Sequence, residues 1–310
     1  MKISIFTSTY NRREKILRLI NSVNQQDHDD WEILIVDDGS NDGTDDAIKS
    51  LNSNKIFYEK FNNNEGHPVA IYNSKILEKI NGDIVIFAGS DDIFKKNAFN
   101  LIIETYQEED NNTWKIGFLF TNEGSKELLH KKHSKLKRDR FLSNEIMSDD
   151  YVQTDYLFTY RKEFWIKFLG YFLKPQDFFK SFYDVAMNHT YIEKIKKEII
   201  LEAGWGEDNV TKGKNSKIYF EWALYTRKYL FDNYKNNMAK KYYRYTLNSL
   251  IRNLLISKGR RLESIKYIKI FIKDIFFNIL DVFTALAFLF VPQKILHFLK
   301  KSLFNSKRHR

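Results

Sequence analysis

Two adjacent carboxylates follow a short apolar run in the first third of the chain. The run Ile84–Ala88 ends in Gly89, Ser90, Asp91 and Asp92. A few apolar residues bounded by turn formers are typical of a buried strand, and open α/β sheets bind ligands beyond the carboxyl ends of their strands. The two carboxylates are therefore placed to hold a metal ion and a polar ligand. The alternative interpretations are a solvated turn and a helix N-cap.

Polar residues also follow two other apolar runs near the start of the chain. Ser8-Thr9-Tyr10-Asn11 comes after one run, and Asp37-Asp38-Gly39-Ser40 comes after the next. Runs typical of strands alternate with stretches of helical spacing, and this alternation predicts a largely parallel, doubly wound α/β sheet. The predicted strands are Lys2–Thr7, Glu32–Val36, Ile56–Glu59, Asp83–Ala88 and Lys115–Thr121, and the predicted helices are Arg13–Val23, Asp45–Leu51, Val69–Ile80 and Ala98–Tyr106.

Several classes of protein are excluded by what the sequence lacks. It contains no cysteine, so disulfides and thiolate metal sites are impossible and a reducing cytoplasm is compatible. Neither G-x-G-x-x-G nor G-x-x-x-x-G-K-S/T occurs, which argues against a dinucleotide-binding fingerprint and a P-loop. The first residues, MKISIFTSTYNRR, do not have the layout of a signal peptide. We therefore expect a cytoplasmic protein.

Charge is unevenly distributed between the two ends of the chain. Residues 211–310 hold 22 Lys and Arg against 5 Asp and Glu, whereas the remainder holds 28 against 35. Such asymmetry indicates a basic tail that meets a polyanion, and the acidic remainder argues against nucleic acid. A bilayer-spanning helix needs about 20 predominantly apolar residues. The most apolar segment, Ile275–Val291, is shorter than that and contains Asn278 and Asp281, so we do not predict a transmembrane helix there.

These features predict that the carboxy-terminal helices lie in the interface plane of an anionic membrane surface. The expected location is the inner face of the cell membrane, with peripheral attachment. The rival interpretation is a helical bundle that buries its apolar face within the protein or in a homo-oligomer.

Four segments, TSTYNR, VDDGSNDGT, NNEGHPVAIYNSKI and NGDIVIFAGSDDIF, together resemble family 2 glycosyltransferases of the GT-A fold. The resemblance implies a Rossmann-like α/β domain with a mostly parallel sheet flanked by helices, over residues 1–215. Residues 216–310 would then form a basic, aromatic-rich α-helical extension for membrane association or oligomerisation. It also implies an inverting enzyme that uses a nucleotide-sugar donor.

By this resemblance, Mn²⁺ or Mg²⁺ bridges the donor diphosphate and is held by the acidic pair. Asp92 would ligate the metal, and Asp91 would share the ion or lie against the ribose. A divalent cation bound to hard oxygens offsets the charge of the leaving diphosphate. Gly89 stands where many relatives carry a further Asp, so one contact to sugar or metal is lost or moved.

The resemblance also assigns a nucleotide pocket. Asp38 matches the position that accepts hydrogen bonds from the base, and a carboxylate there suits the imide N–H of uracil or thymine. Ser8 and Tyr10 match residues that line the base pocket, where Tyr10 would stack. His67 falls where close relatives carry Arg or another polar group near the nucleotide. The structural alternatives are turn and cap chemistry for Asp38 and plain packing for Tyr10 and His67.

An inverting displacement also needs a base to take the proton of the acceptor hydroxyl. Family members often show E-D, then a helix, then a strand about fifteen residues later. Asp184 is our candidate because residues after it continue at helical spacing and Ile195–Leu201 follows as a predicted strand. Asp208, in GWGEDNVT, is the runner-up. The alternative for Asp184 is a helix cap.

The predicted function is transfer of a sugar from a UDP- or dTDP-sugar to a glycan or lipid-linked acceptor in cell-envelope polysaccharide synthesis. A nucleotidyltransferase on a similar fold is a second hypothesis, although Ser8–Arg13 lacks the glycines of that class. A third is a membrane-bound scaffold whose donor site has decayed. The basic stretch 125–150 would shape the acceptor pocket, contact phosphates or act as a lid.

Overall fold

The computed structural model describes residues 1–124, 138–147, 156–203, 216–256, 260 and 262–273 of the 310-residue chain. The strands are β1 Ile3–Thr9, β2 Trp31–Asp37, β3 Ile56–Lys60, β4 Ile84–Phe87, β5 Ile93–Phe94, β6 Thr113–Asn122, β7 Arg140–Leu142, β8 Leu157–Arg161 and β9 Ile192–Ala203. The helices are α1 Arg13–Asn24, α2 Thr44–Ser50, α3 His67–Ser74, α4 Ala98–Glu108, α5 Lys162–Tyr171, α6 Phe178–Asn188, α7 Ser216–Tyr234, α8 Lys240–Ile256 and α9 Glu263–Lys273.

The described strands form one sheet in the order β3-β2-β1-β4-β8-β6-β9-β5, with β7 also paired to β9. Strands β3, β2, β1 and β4 pair in parallel, and β6 pairs in parallel with β9. Strand β8 runs antiparallel to both of its neighbours, β4 and β6. The predicted α/β class with flanking helices is confirmed, and the sheet is mixed, because β4–β8, β6–β8, β5–β9 and β7–β9 pair antiparallel.

The centre of the sheet is apolar because helices cover both of its faces. All seven residues of β2 are buried, and β1 is buried except at Ser8. Helix α1 packs its apolar stripe on this part of the sheet through Ile16, Leu19 and Val23. Continuous apolar runs are expected of parallel strands that are covered on both sides. This rigid centre fixes where the polar strand ends lie.

The helix predicted over Val69–Ile80 is interrupted. Helix α3 ends at Ser74, Lys75 takes a left-handed conformation (φ 49°), and a short 3₁₀ turn covers Ile76–Lys79. The Ser74 hydroxyl donates to the Ile71 carbonyl, 2.9 Å away, and accepts from the Ile76 N–H at 3.2 Å. Such local hydrogen bonds compete with the helical pattern, which explains the break.

Helix α6 begins earlier than the sequence indicated. It starts at Phe178, so Asp184 lies in its interior and the interpretation of Asp184 as a helix cap is wrong. The strand predicted over Ile195–Leu201 is confirmed and extends over the whole of β9. The carboxylate that directly precedes the helix is Asp177, in the 3₁₀ turn Pro175–Asp177.

The chain divides into two compact units, one of Met1–Ile146 with Asp150–Tyr219 and one of Met147–Asp149 with Phe220–Arg310. The second unit has its own apolar core, which includes Leu224, Phe231, Leu250 and Tyr267. In the parts of the chain that the structure describes, no helix combines the length and the apolar character needed to cross a bilayer. The segment 275–291 lies outside the described residues, as does most of the stretch 125–150.

Candidate active site

The carboxyl ends of β1 and β4 lie side by side at the point where the strand order reverses. Strand β1 pairs with β2 on one side and with β4 on the other, so the connections leave β1 in opposite directions. A crevice opens at such a switch point, and ligands of doubly wound sheets bind there. The loops after β1, β2 and β4 therefore meet at one edge, as the sequence predicted for parallel strands.

The loops after β1 and β2 are tied together by reciprocal hydrogen bonds. The Asn11 N–H donates to the Ser40 hydroxyl, 2.8 Å away, and the Asn41 N–H donates to Asn11 Oδ1 at the same distance. Asn11 has a left-handed backbone (φ 50°), which Asn tolerates better than most residues. Tyr10, which precedes Asn11, is 43% exposed.

Asp37 is fully buried at the end of β2 and holds the turn that follows. Its carboxylate accepts from the Tyr58 hydroxyl at 2.6 Å and from the Ser40 N–H at 2.7 Å. Burial raises the pKa of Tyr58, so its hydroxyl remains a donor. The turn interpretation therefore describes Asp37 well.

Asp38 is also buried, and its carboxylate fixes the segment that leads into α3. One oxygen accepts from the Glu65 N–H at 2.7 Å and the other from the Gly66 N–H at 2.9 Å. Burial raises the pKa of Asp38 to about 6, against the action of these two bonds. Each carboxylate oxygen has a second lone pair that can accept from a ligand. Asp38 can thus hold the pocket wall and still receive the N–H of a base.

His67, the first residue of α3, joins three elements around the crevice. Its Nδ1 is hydrogen-bonded to the Ser8 hydroxyl at the end of β1. Its ring contacts those of Phe87 in β4 and Phe178 in α6, with centroids 5.8 and 6.0 Å away. Burial lowers the pKa of His67 to about 4, so the imidazole is neutral at physiological pH. It can exchange hydrogen bonds there, and it brings no positive charge.

The acidic pair lies in the tight turn that follows β4. Asp91 and Asp92 are each 9% exposed. The Gly89 N–H donates to Asp92 Oδ2 at 2.7 Å, which fixes that carboxylate over the turn. Arg12 Nη1 lies 3.3 Å from Asp91 Oδ2 and 3.4 Å from the Ser90 hydroxyl. The loop after β1 therefore supplies a cation to the loop after β4.

Oxygens of both carboxylates converge beside Gly89. A Cβ atom at Gly89 would lie 3.0 Å from Asp91 Oδ1 and 3.3 Å from Asp92 Oδ2. Two carboxylates together with donor phosphates and water are a typical ligand set for Mg²⁺. Within the described residues no group of three or more His, Cys, Asp or Glu side chains forms a metal cage. The two carboxylates therefore fit a divalent cation whose remaining ligands come from the substrate and from water.

The predicted base, Asp184, points into the protein from the middle of α6. It is 1% exposed, and its Oδ2 pairs with Lys180 one turn earlier on the same helix. Asp208, the runner-up, lies outside the described residues. The position that the family pattern assigns to the base, directly before a helix, is not the position of Asp184.

Asp177 fits that pattern and was missed by the sequence analysis. Helix α6 starts at the next residue, and β9 starts fifteen residues later, at Ile192. Its neighbour Phe178 contacts His67 and Phe87, which puts the start of α6 beside the crevice. The available signal was an acidic residue ahead of a helix and a strand. It was obscured because Gln176 stands where family members carry Glu.

The sequence profile of glycosyl transferase family 2 matches residues 4–169, more than half of the chain. The chain belongs to glycosyltransferase family 2. Its relatives include TuaG of Bacillus subtilis, named for teichuronic acid biosynthesis, which is 36% identical over 108 residues. That alignment covers 34% of this family 2 chain and 42% of TuaG. The chain spans less than half the length of the first curated relatives it matches.

Solved structures share the GT-A fold with this family 2 chain. S. aureus TarS 1–349 superimposes with a TM-score of 0.60 at 18% identity, over 87% of this chain and 78% of TarS 1–349. TarS has also been solved in complex with UDP-GlcNAc. The mannosyltransferase PcManGT of Pyrobaculum calidifontis, in complex with GDP-Man and Mn²⁺, gives 0.54 at 12% identity, over 100% of this chain and 88% of PcManGT.

Within this family 2 chain, the structure brings together most of the predicted site. Ser8, His67, Asp91 and Asp92 lie in or on the loops around the switch point, and Asp38 holds the loop that precedes His67. Asp184 lies six residues beyond the first residue of α6, about 9 Å further along the helix axis. Family membership argues against the nucleotidyltransferase hypothesis.

Proposed function

We propose that the protein is an inverting glycosyltransferase that moves a sugar from a nucleotide-sugar donor to a hydroxyl of a glycan or lipid-linked acceptor. The observation that carries the proposal is the convergence of the Asp91 and Asp92 oxygens beside Gly89, at the switch point of the sheet. The name of TuaG supports a place in cell-envelope polysaccharide synthesis.

Asp92 and Asp91 would hold Mn²⁺ or Mg²⁺ in this proposal. The cation would offset the negative charge that the diphosphate gains when the sugar leaves. The Mn²⁺ complex of PcManGT, a protein of the same fold, supports this assignment.

The nucleotide would lie against the loops after β1 and β2. Asp38 would accept the imide N–H of uracil or thymine through a free lone pair, and Tyr10 would stack on the base. Ser8 and the neutral His67 would offer hydrogen bonds beside them. The UDP-GlcNAc complex of TarS supports a uridine donor.

Asp177 would act as the base in place of Asp184. The acceptor oxygen attacks the anomeric carbon, the bond from that carbon to the diphosphate breaks, and the hydroxyl proton passes to the carboxylate. Attack from the face opposite the leaving group inverts the anomeric centre. Asp177 is supported by its position at the start of α6, where the adjacent Phe178 contacts His67, whereas Asp184 lies in the helix interior. Both carboxylates are buried, at 3% and 1% exposed.

A binding experiment tests the donor half of the proposal. UDP, dTDP and GDP are titrated with and without Mn²⁺ into the wild type, Asp92→Ala and Asp27→Ala, whose carboxylate is exposed and remote in the loop before β2. We expect nucleotide binding that requires Mn²⁺, is lost in Asp92→Ala and is retained in Asp27→Ala. Absence of metal-dependent binding in the wild type would remove the proposal and favour a decayed scaffold.

A turnover experiment tests the base. General bases contribute about 10²–10⁴-fold, so Asp177→Asn should lose that much of kcat while UDP binding stays near wild type. Asp184→Asn is the matched carboxylate-to-amide change on the same helix. Loss of turnover in Asp184→Asn, with Asp177→Asn active, would return the role to Asp184.

We also propose that the basic, helical carboxy-terminal unit attaches the protein peripherally to the inner, anionic face of the cell membrane. The excess of Lys and Arg in this part of the chain supports the proposal. Self-association through the same helices is the competing assignment.

A further inference from the structure

Arg12 is a largely buried cation that faces the acidic pair. It directly precedes α1, and its side chain is only 10% exposed. Its guanidinium reaches across the crevice to Asp91 Oδ2 and to the Ser90 hydroxyl. A planar guanidinium suits both carboxylate and phosphate oxygens, and it keeps its charge at all relevant pH values. Arg12 therefore contacts a carboxylate that would hold the cation of the proposed function, through Asp91 Oδ2, whereas Asp91 Oδ1 is the oxygen beside Gly89.

Two other residues that might carry positive charge to this site are otherwise placed. The guanidinium of Arg18 forms two hydrogen bonds to Glu123, 2.6 and 2.9 Å long. The ring of His67 contacts those of Phe87 and Phe178, and its Nδ1 is hydrogen-bonded to the Ser8 hydroxyl. Within the described residues, Arg12 is thus a cation that the fold presents to Asp91.

We propose that Arg12 holds the place of the divalent cation at Asp91 until the donor binds, and that it then pairs with the donor diphosphate. This inference rests on the proposed function. It makes Arg12 the residue through which metal binding and nucleotide binding are coupled.

The charges explain the direction of the coupling. With no donor present, an incoming divalent cation must share Asp91 with Arg12, and the two positive charges repel, which weakens metal binding. Once a diphosphate is present, its negative charge attracts both the guanidinium of Arg12 and the divalent cation, and this attraction outweighs the repulsion between the two positive charges. By linkage, the factor by which the metal tightens nucleotide binding equals the factor by which the nucleotide tightens metal binding.

The test measures both affinities on the full chain. Mn²⁺ binding is followed by electron paramagnetic resonance with and without UDP, and UDP binding by calorimetry at saturating Mn²⁺. A neighbouring charge typically changes such an equilibrium by about tenfold or more. In Arg12→Gln we therefore expect Mn²⁺ alone to bind about tenfold more tightly and UDP to bind about tenfold more weakly.

Two variants separate charge from packing. Arg12→Lys keeps the charge, so its affinity for Mn²⁺ without UDP should remain near that of the wild type. Arg13→Gln removes the adjacent, exposed guanidinium and should leave both affinities unchanged. Equal behaviour of Arg12→Lys and Arg12→Gln, or a joint loss of both affinities in Arg12→Gln, would overturn the inference.

The outcomes also distinguish the two proposals. Metal-dependent UDP binding in the wild type, with both constants unchanged in Arg12→Gln, removes the role of Arg12 and leaves the proposed function standing. Wild-type protein that binds no UDP with Mn²⁺ removes the proposed function, and the coupling with it.

Discussion

Protonation of Asp38 would alter the proposed nucleotide pocket. Its pKa is raised by burial to about 6, so the carboxylate is protonated as the pH falls below that value. A protonated carboxyl carries an O–H where the carboxylate had an acceptor lone pair. The added hydrogen then replaces an acceptor site for a ligand or meets the N–H of Glu65 or Gly66, which donates to the same carboxyl group. We therefore expect UDP affinity to fall below about pH 6, measured by calorimetry from pH 5 to 8.

Stability should respond to Asp38 in the opposite direction. Between about pH 4 and 6 the folded chain retains the proton that the unfolded chain has lost, so this residue makes folding less favourable as the pH rises. Asp38→Asn cannot titrate, and both pH slopes attributed to Asp38 should flatten in that variant. Unchanged slopes in Asp38→Asn would contradict the assignment.

His67 should tolerate a neutral replacement and resist a charged one. Its ring lies against Phe87 and Phe178, and an unpaired buried charge is costly. His67→Arg should lower the free energy of unfolding by about 2 kcal/mol or more, measured by urea denaturation. His67→Gln, which keeps a hydrogen bond to Ser8, is the control and should lose less. A stable His67→Arg variant with tighter UDP binding would show that the side chain reaches the phosphates.

Single residues show where sequence reasoning succeeds. Asp91 and Asp92 were found because an apolar run followed by carboxylates identifies a strand end from local sequence alone. The bonds of Asp38 were not visible, since they go to N–H groups 27 and 28 residues away. Asp177, the proposed base, was not identified because Gln176 interrupts the two-letter motif, and its position directly before a helix is visible only from the start of α6.

At the scale of elements, the turn after β2 depends on Gly39. Its φ is +83°, and a Cβ atom there would lie 2.6 Å from the carbonyl carbon of Asn63. Gly39→Ala should therefore cost about 2 kcal/mol or more of stability, with weaker UDP binding because Asp38 is adjacent. Calorimetric melting checks the first effect and UDP titration the second.

Gly170 in α5 is the matched control for that substitution. A Cβ atom at Gly170 has no heavy atom within 4 Å, and the residue is helical. Gly170→Ala should raise stability by up to about 1 kcal/mol through helix propensity. Equal effects of the two substitutions would contradict the steric role assigned to Gly39.

Most of the strands were predictable, but the short β5 and β7 were not, and neither was the strand order. The sequences of β1, β2 and β4 contain apolar runs, and such runs predict buried strands. The insertion of β8 between β4 and β6 is decided by long-range pairing, for example Val85 with Tyr160. The end of α3 at Ser74 was likewise beyond a periodicity argument, because a side-chain hydrogen bond decides it.

At the scale of the whole molecule, the carboxy-terminal unit carries an excess of positive charge. In its described part, the acidic residues Glu221, Asp232 and Glu263 each pair with a Lys or Arg, at 2.9 to 3.0 Å. Lys and Arg outnumber them, so a net positive charge remains. Basic residues near an anionic membrane contribute about 1 kcal/mol each.

The full chain should therefore co-sediment with vesicles that contain phosphatidylserine, and less so as salt rises. Reversing two exposed charges of this unit, Lys235→Glu with Lys269→Glu, should lower partitioning about tenfold or more. The control, Lys96→Glu with Lys197→Glu, makes the same change in net charge on the first unit. Equal loss in both double variants would reduce the effect to overall charge, and no vesicle binding at low salt would contradict the membrane proposal.

The hydrogen bonds between the loops after β1 and β2 limit which substitutions this protein can accept as it evolves. The Asn11 N–H donates to the Ser40 hydroxyl, and Asn11 Oδ1 accepts from the Asn41 N–H. The Arg13 N–H donates to the Asp42 carboxylate, 2.9 Å away. The donors are main-chain N–H groups, so only the acceptor side chains of Asn11, Ser40 and Asp42 can be lost by substitution. A laboratory selection for a different donor base should therefore keep an oxygen-bearing side chain at these three positions while the side chain of Arg13 varies.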